Sequence, residues 1–338
     1  MARPSERCRT RGPDGRHAAT GPSDRQMDLL LVAAGLAALF FGGDRLVAGA
    51  VALAGRAGLP PLVIGLTIVG FGTSMPELVT SVQAALQDSP GIAVGNVVGS
   101  NIANILLILG AAALVAPIAV APDALRRDGT ALAVVTLLAA ALLLPGSLGR
   151  AGGALLLAGL GAYLLLALRG ARAEPEPAYP VEMEIAPQTM SRAALEFGFG
   201  LLLTLAGAHL LVRGAVSLAA GLGVPDAVIG LSIVAIGTSL PELVTSVTAA
   251  RRGHADVALG NVIGSNIFNL LGILGTTALV RPIGGLRPES TIDLGVMIGA
   301  TALLLLVAFT GRKVTRTEGA VLCGLYAAYL GWLAMQTH

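Results

Sequence analysis

The sequence predicts an all-α integral membrane protein of ten transmembrane helices, arranged as two inverted five-helix repeats. Three observations carry this. The 338 residues are 54% hydrophobic and only 12% charged, with a mean hydropathy of +0.79. A soluble domain carries about 25% charged residues, and disorder needs low hydrophobicity with high charge. Ten apolar stretches are long enough to cross a bilayer, and a block of 51 residues recurs at a constant offset of 165. A net charge of +2 leaves no electrostatic footprint for nucleic acid. The two cysteines, Cys8 in a polar tail and Cys323 in an apolar run, exclude a disulfide framework and a cysteine metal cluster.

A spanning helix needs about 20 mostly apolar residues. The ten segments run approximately 27–56, 61–87, 91–116, 129–146, 151–169, 194–221, 225–250, 255–281, 291–310 and 317–335. The first and sixth are long and carry polar residues. The second, third, seventh and eighth are interrupted by Gly, Asn, Ser, Thr and Pro, whereas the fourth, fifth, ninth and tenth are nearly pure Ala, Leu, Val and Gly. Residues 27–169 thus form a first repeat and 194–338 a second. The 170–193 segment between them contains EPEPAYPVEMEIAP and reads as an exposed cytoplasmic linker. Residues 1–26 are an Arg-rich tail. Met27 opens MDLLLVAAGL, a natural start, so the tail is expected to be dispensable.

Arg and Lys set orientation through the loops that stay cytoplasmic. The loops after the odd-numbered segments hold Arg56, Arg126, Arg127, Arg169, Arg172, Arg192, Arg251, Arg252, Arg312, Lys313 and Arg316. The opposite loops hold Arg150, Arg281 and Arg287. The first set is expected to be cytoplasmic and both termini extracytoplasmic, although the arginines of the tail oppose this.

The duplicated block pairs PPLVIGLTIVGFGTSMPELVTSVQAAL with PDAVIGLSIVAIGTSLPELVTSVTAAR, and IAVGNVVGSNIANILLILG with VALGNVIGSNIFNLLGILG. About 32 of the 51 aligned positions are identical, without a gap. Each half holds five spans. Five is odd, so the second half enters the membrane from the opposite side. Inverted repeats of this kind belong to secondary transporters, with the ion site at the midplane where broken helices meet.

GTSMPE (Gly72 to Glu77) and GTSLPE (Gly237 to Glu242) fall inside the second and seventh segments. Pro76 and Pro241 lack an N–H and clash with the carbonyl four residues back, which frees the oxygens near Gly72 and Gly237. Unwound backbone in a membrane is tolerated where it is buried in protein or lines a cavity. Freed carbonyls, the hydroxyls of Thr73, Ser74, Thr238 and Ser239, and the carboxylates of Glu77 and Glu242 are all oxygen ligands, which suit hard cations such as Na⁺ and Ca²⁺. A Ser/Thr/Pro cluster alone could be a packing kink. A glutamate at mid-membrane costs several kcal/mol and marks function by default. In GNVVGSNIAN and GNVIGSNIFN, Ser100 and Asn104, and likewise Ser265 and Asn269, are four apart and share a helix face. Asn96, Asn101, Asn261 and Asn266 are expected to act as interhelical glue, Asp44 and Arg45 as an adjacent structural pair, and His254 to lie in solvent.

GTSxPE twice with GSNxxN twice resembles the alpha repeats of the cation/calcium exchanger (sodium/calcium exchanger) superfamily, most like the prokaryotic calcium/sodium antiporter type. The likeness is strongest over segments 1–3 and 6–8. It implies a central site within a diamond of helices 2, 3, 7 and 8, with helices 1 and 6 sliding across it. It implies that Glu77 and Glu242 are the calcium carboxylates, completed by backbone oxygens of Thr73 and Thr238. Sodium sites would draw on the same glutamates, the carbonyls of Gly70 and Ala235, and the side chains of Thr73, Ser74, Ser100, Thr238, Ser239 and Ser265. Asn104 and Asn269 would line the centre. Well-known members of that family carry an acid at the position of Asn269, so the site implied here has two carboxylates rather than three.

The implied function is exchange of Na⁺ for Ca²⁺ by alternating access, with Ca²⁺ and Na⁺ as substrates and no cofactor. An empty site would leave two glutamates uncompensated in a low dielectric. Loaded states alone would cross easily. Ca²⁺/H⁺ exchange on the same fold is the alternative, and the paired Thr-Ser hydroxyls favour Na⁺. An intramembrane hydrolase built on Ser74 or Ser239 lacks a base, since all four histidines lie outside the motifs. No enzyme is therefore expected, and the inverted odd-span repeat argues against a channel.

Overall fold

The computed structural model describes residues 22–122, 125–173, 189–222, 235–284 and 290–336. Its helices are α1 (Pro22–Ala57), α2 (Pro61–Thr73), α3 (Met75–Leu86), α4 (Pro90–Val115), α5 (Thr130–Leu143), α6 (Arg150–Ala173), α7 (Met190–Gly221), α8 (Ala235–Thr238), α9 (Leu240–Arg251), α10 (Ala255–Val280), α11 (Ser290–Gly311) and α12 (Arg316–Gln336). Among the described residues seven helices are long and apolar enough to cross a membrane, and eight if the bent pair α2–α3 is one span. Large apolar side chains such as Leu195, Leu202, Phe309 and Met335 stand exposed on their outer faces, as lipid-facing helices require. The chain is a multi-pass membrane protein.

Two of the ten expected spans are not matched in full. The fourth is the 14-residue helix α5, roughly 21 Å long against a hydrocarbon core of about 30 Å. It is entered through a wider π-turn at Leu125–Gly129. That turn carries Arg127, which grips buried Asp128 at 3.0 Å, while the Tyr163 hydroxyl of α6 donates to Asp128 at 3.4 Å. The seventh expected span begins at 225, and residues 223–234 lie outside those described, as do most of the linker and residues 1–21 of the tail. α1 itself starts at Pro22.

α4 and α10 form the buried axis, and α5, α6, α11 and α12 close around them over one large apolar core. α1 and α7 pack instead on a small separate cluster of Leu46, Ala50, Ala54, Ile64, Val69 and Phe197. These two long helices run antiparallel. Gly35 meets Leu211, Gly42 meets Thr204 and Gly49 meets Phe197; in return Gly200 meets Leu46 and Gly207 meets Leu39. The glycines recur every seven residues, and 35, 42 and 49 map onto 200, 207 and 214 at the repeat offset. A Cβ at Gly42 would lie 2.6 Å from the backbone nitrogen of Thr204. Small residues at such a seam let membrane helices touch backbone to backbone.

Loops expected on one side of the membrane touch one another. The short strands β1 (Ile118–Ala119) and β2 (Lys313–Val314) pair antiparallel with Ile118 opposite Val314, joining the loops after the third and ninth segments. On the other set of loops, Leu148 bridges to Ile283, and Arg281 binds Asp88.

Candidate cation site

The chain breaks where the prolines stand. α2 ends at Thr73 and α3 leaves at a bend of 44°. Ser74 takes φ −83°, ψ 10° and Ser239 φ −90°, ψ 8°, so neither is helical. Pro76 and Pro241 fall in the first turns of α3 and α9, where a missing N–H costs nothing. Ser74 and Ser239 therefore occupy N-cap positions, yet neither makes a side-chain cap. Each hydroxyl is used elsewhere. Ser74 Oγ donates to Glu242 Oε1 at 2.8 Å, and Ser239 Oγ donates to Glu77 Oε1 at 3.4 Å. The serine of each motif thus holds the glutamate of the other.

Glu77 and Glu242 are 1% and 2% exposed, and in each the second carboxylate oxygen, Oε2, has no hydrogen-bond partner among the described residues. Each glutamate lies in the first turn of its helix, where the helix dipole favours negative charge. Around them, Thr73 is fully buried and its hydroxyl lies 3.1 Å from Val69 O. Ser265 Oγ donates to Gly70 O at 3.1 Å, tying α10 to the broken end of α2. Ser100 is buried and Thr238 half-buried. Asn104 Nδ2 donates to Asn266 Oδ1 at 3.1 Å, and among the described residues Asn104 Oδ1 and both amide atoms of buried Asn269 have no partner. Ala235 opens α8 at the edge of the described residues, so its surroundings lie outside them.

Buried oxygens without partners are costly, and among the described residues they come from both halves, linked by the crossed serine–glutamate bonds and the Asn104–Asn266 bond. Two carboxylate oxygens, the Asn104 and Asn269 carbonyl oxygens and several hydroxyls make an all-oxygen donor set, which fits a hard cation. Among the described residues no three His, Cys, Asp or Glu side chains gather into one cluster.

Local structure departs from plain helix beside the site in a way the sequence did not signal. Asn104 opens a π-turn at Asn104–Leu109 and Asn269 sits in another at Phe268–Ile273. Such bulges are frequent at functional sites. Sequence reasoning also passed over Ser81 and Ser246, each four residues after a glutamate and identical in the two halves. Asn96 and Asn261 do join helices, as expected. Asp44 and Arg45 do not pair with each other: Asp44 binds Arg251 and Arg252 of the α9 end, and Arg45 binds Glu196 of α7 at 3.0 Å. Adjacent helix positions point in different directions. His254 is half-buried rather than solvated, and burial holds its imidazole below the ordinary pKa.

The sequence model described as "Sodium/calcium exchanger protein" matches residues 27–169 and 193–335. The chain belongs to the sodium/calcium exchanger family. It is 43% identical to the putative antiporter CaxA of Alkalimonas amylolytica, over 90% of this chain and 96% of that one. It is 37% identical to the sodium/calcium exchanger MaX1 of Methanosarcina acetivorans, over 90% of this chain and 97% of that protein. Its fold matches the sodium-calcium exchanger NCX_Mj with a TM-score of 0.81 at 32% identity, covering 91% of this chain and 99% of that one. The family is one of transporters rather than enzymes, and membership makes this chain a cation/calcium antiporter.

Proposed function

We propose that the chain exchanges Na⁺ for Ca²⁺ across the cell membrane by alternating access, with the Na⁺ gradient driving Ca²⁺ out. The observation that carries this is the crossed pair of bonds, Ser74 to Glu242 and Ser239 to Glu77, each leaving one buried carboxylate oxygen without a partner among the described residues. Two carboxylates balance one Ca²⁺, or an equal charge of Na⁺ held with hydroxyl and carbonyl help. In this reading Ca²⁺ is held by Glu77 and Glu242 with backbone oxygens of Thr73 and Thr238. Na⁺ ions draw on the same glutamates, the carbonyls of Gly70 and Ala235, and the side chains of Thr73, Ser74, Ser100, Thr238, Ser239 and Ser265, with Asn104 and Asn269 lining the centre. Bare glutamates in the interior raise the energy of the unloaded protein, since an uncompensated buried charge costs about 3–5 kcal/mol. Exchange is thereby favoured over leak.

The same reading has ten spans in two inverted halves, with the Arg-rich loops cytoplasmic and both termini outside. The antiparallel run of α1 against α7 and the contacts among loops of one side support it. The names of MaX1 and NCX_Mj, both sodium/calcium exchangers, support Na⁺ as the counter-ion. The test is Ca²⁺ uptake by everted vesicles with Na⁺ and pH gradients imposed separately. Uptake driven by Na⁺ alone is expected. Uptake that follows only the pH gradient would replace Na⁺ by H⁺.

A further inference from the structure

The site's glutamates stand on helices that begin at a break and lack local caps. Something other than the preceding helix must fix their rotation. Asn261 of α10 is fully buried and uses both ends of its amide. Its Nδ2 donates to the backbone carbonyl of Glu242 at 3.3 Å and to Ser246 Oγ at 2.9 Å. Its Oδ1 accepts from Thr73 Oγ1, in the opposite half, at 3.3 Å. The repeat-related amide of Asn96 donates to the carbonyl of Glu77 at 3.1 Å and to Ser81 Oγ at 2.9 Å. Two bonds one helical turn apart fix how a helix is turned about its own axis, and here they flank the glutamate that must face inward.

We infer that Asn261 and Asn96, with Ser246 and Ser81, are positioning residues that aim the two glutamates at the cation, Asn261 also joining one half's threonine to the other half's glutamate. This rests on the proposed cation site. Neither asparagine touches the cation, and both act through the main chain of the residue that does. Groups that orient metal ligands are worth about 10–100-fold in metal affinity, so the effect belongs in half-saturation rather than in maximal rate.

The experiment uses the full chain in proteoliposomes with Na⁺-driven Ca²⁺ uptake, and in detergent the melting temperature with and without Ca²⁺. Asn261→Ala is expected to raise half-saturating Ca²⁺ about tenfold or more with maximal rate near wild type, and to shrink the stabilisation given by Ca²⁺. Asn96→Ala, at a half-buried position, should act in the same direction. Ser246→Ala removes one hydroxyl and should raise half-saturation less. If Asn261→Ala does not insert, Ser246→Ala decides in its place. Wild-type half-saturation with a lowered melting temperature would make the clamp purely structural and overturn the inference. Glu242→Gln runs in parallel. If it transports like wild type, the site reading itself fails; if it is inactive while the clamp variants bind normally, only the positioning role fails.

Discussion

Two seams of this molecule are related by the repeat and differ in state. At one, α1 lies against α9. A Cβ at Gly43 would be 2.6 Å from Val244 Cγ1 and 3.2 Å from Thr248 Oγ1. Asp44 accepts from Arg252 Nε at 2.7 Å, and the Arg251 guanidinium sits 5.1 Å over the Phe40 ring. At the other seam the matching residues are Leu205, Ala208 and His209 on α7, Val79, Gln83 and Leu86 on α3, and Gln87 just past its end. There Val79 is 49% and Leu86 54% exposed, while the counterpart Val244 is half-buried and Thr248 is 7% exposed. One seam is packed shut, and at its twin the matching α3 residues stand exposed, although the motifs beneath them are nearly identical. The charges differ as well. Asp44, Arg251 and Arg252 have His209, Leu86 and Gln87 as their mates, so these ion pairs have no counterpart at the matching positions.

The strongest way to break this comparison is at what the seams share. Glu77→Gln and Glu242→Gln keep volume and remove charge, and each is expected to abolish Ca²⁺ flux, by about a hundredfold or more, while the protein still inserts. Equal losses from both would support one common site beneath two seams. Near-normal flux in either variant would sink it.

A second test asks whether the open seam closes. Cysteines placed as His209→Cys and Gln87→Cys sit at the mates of the Asp44–Arg252 pair. A disulfide needs Cα atoms within about 7 Å. Cross-linking on mild oxidation, with flux falling about tenfold and returning on reduction, is expected if α7 comes down on α3. No cross-link during active exchange would mean that the shut seam never trades places with its twin.

The smallest effect sharpens the asymmetry. Exposed ion pairs are worth about 0.2–1 kcal/mol, so Asp44→Asn should shift half-saturating Ca²⁺ at one face relative to the other by about two- to fivefold. His209→Asn should leave that ratio unchanged. The measurement is Ca²⁺ flux in right-side-out and everted vesicles from the same cells.

Much of this architecture was legible in the chain. Hydropathy located the long helices, and Pro76 and Pro241 placed breaks near Gly72 and Gly237, which the structure has at Ser74 and Ser239. The seven-residue glycine spacing at 35, 42 and 49 could have been read, because it recurs at 200, 207 and 214, but alanines and glycines in apolar runs attract no notice without a partner helix. The crossed serine–glutamate bonds join residues 168 and 162 apart, and no local pattern encodes which half a hydroxyl will serve. Asp44 and Arg45 misled for the same reason, since sequence adjacency suggested a pair and the helix turned them to different neighbours. The fourth segment ends early because the chain turns at residues 144–146, where Pro145 stops the helix, and hydropathy alone does not mark that end.

The crossed bonds also bear on how such a chain could arise. If the chain is two inverted five-helix halves, as proposed above, a single half would carry a glutamate whose serine belongs to the other half. It could assemble the donor set only by meeting a second copy inserted the opposite way round, which demands that one polypeptide enter the membrane in both directions in equal numbers. Orientation follows loop arginines, so that balance would drift with every charge gained or lost. On the proposed topology, fusion into one chain removes the drift: each molecule would carry one half of each orientation, and the two halves would then be free to differ, as Asp44 and His209 do.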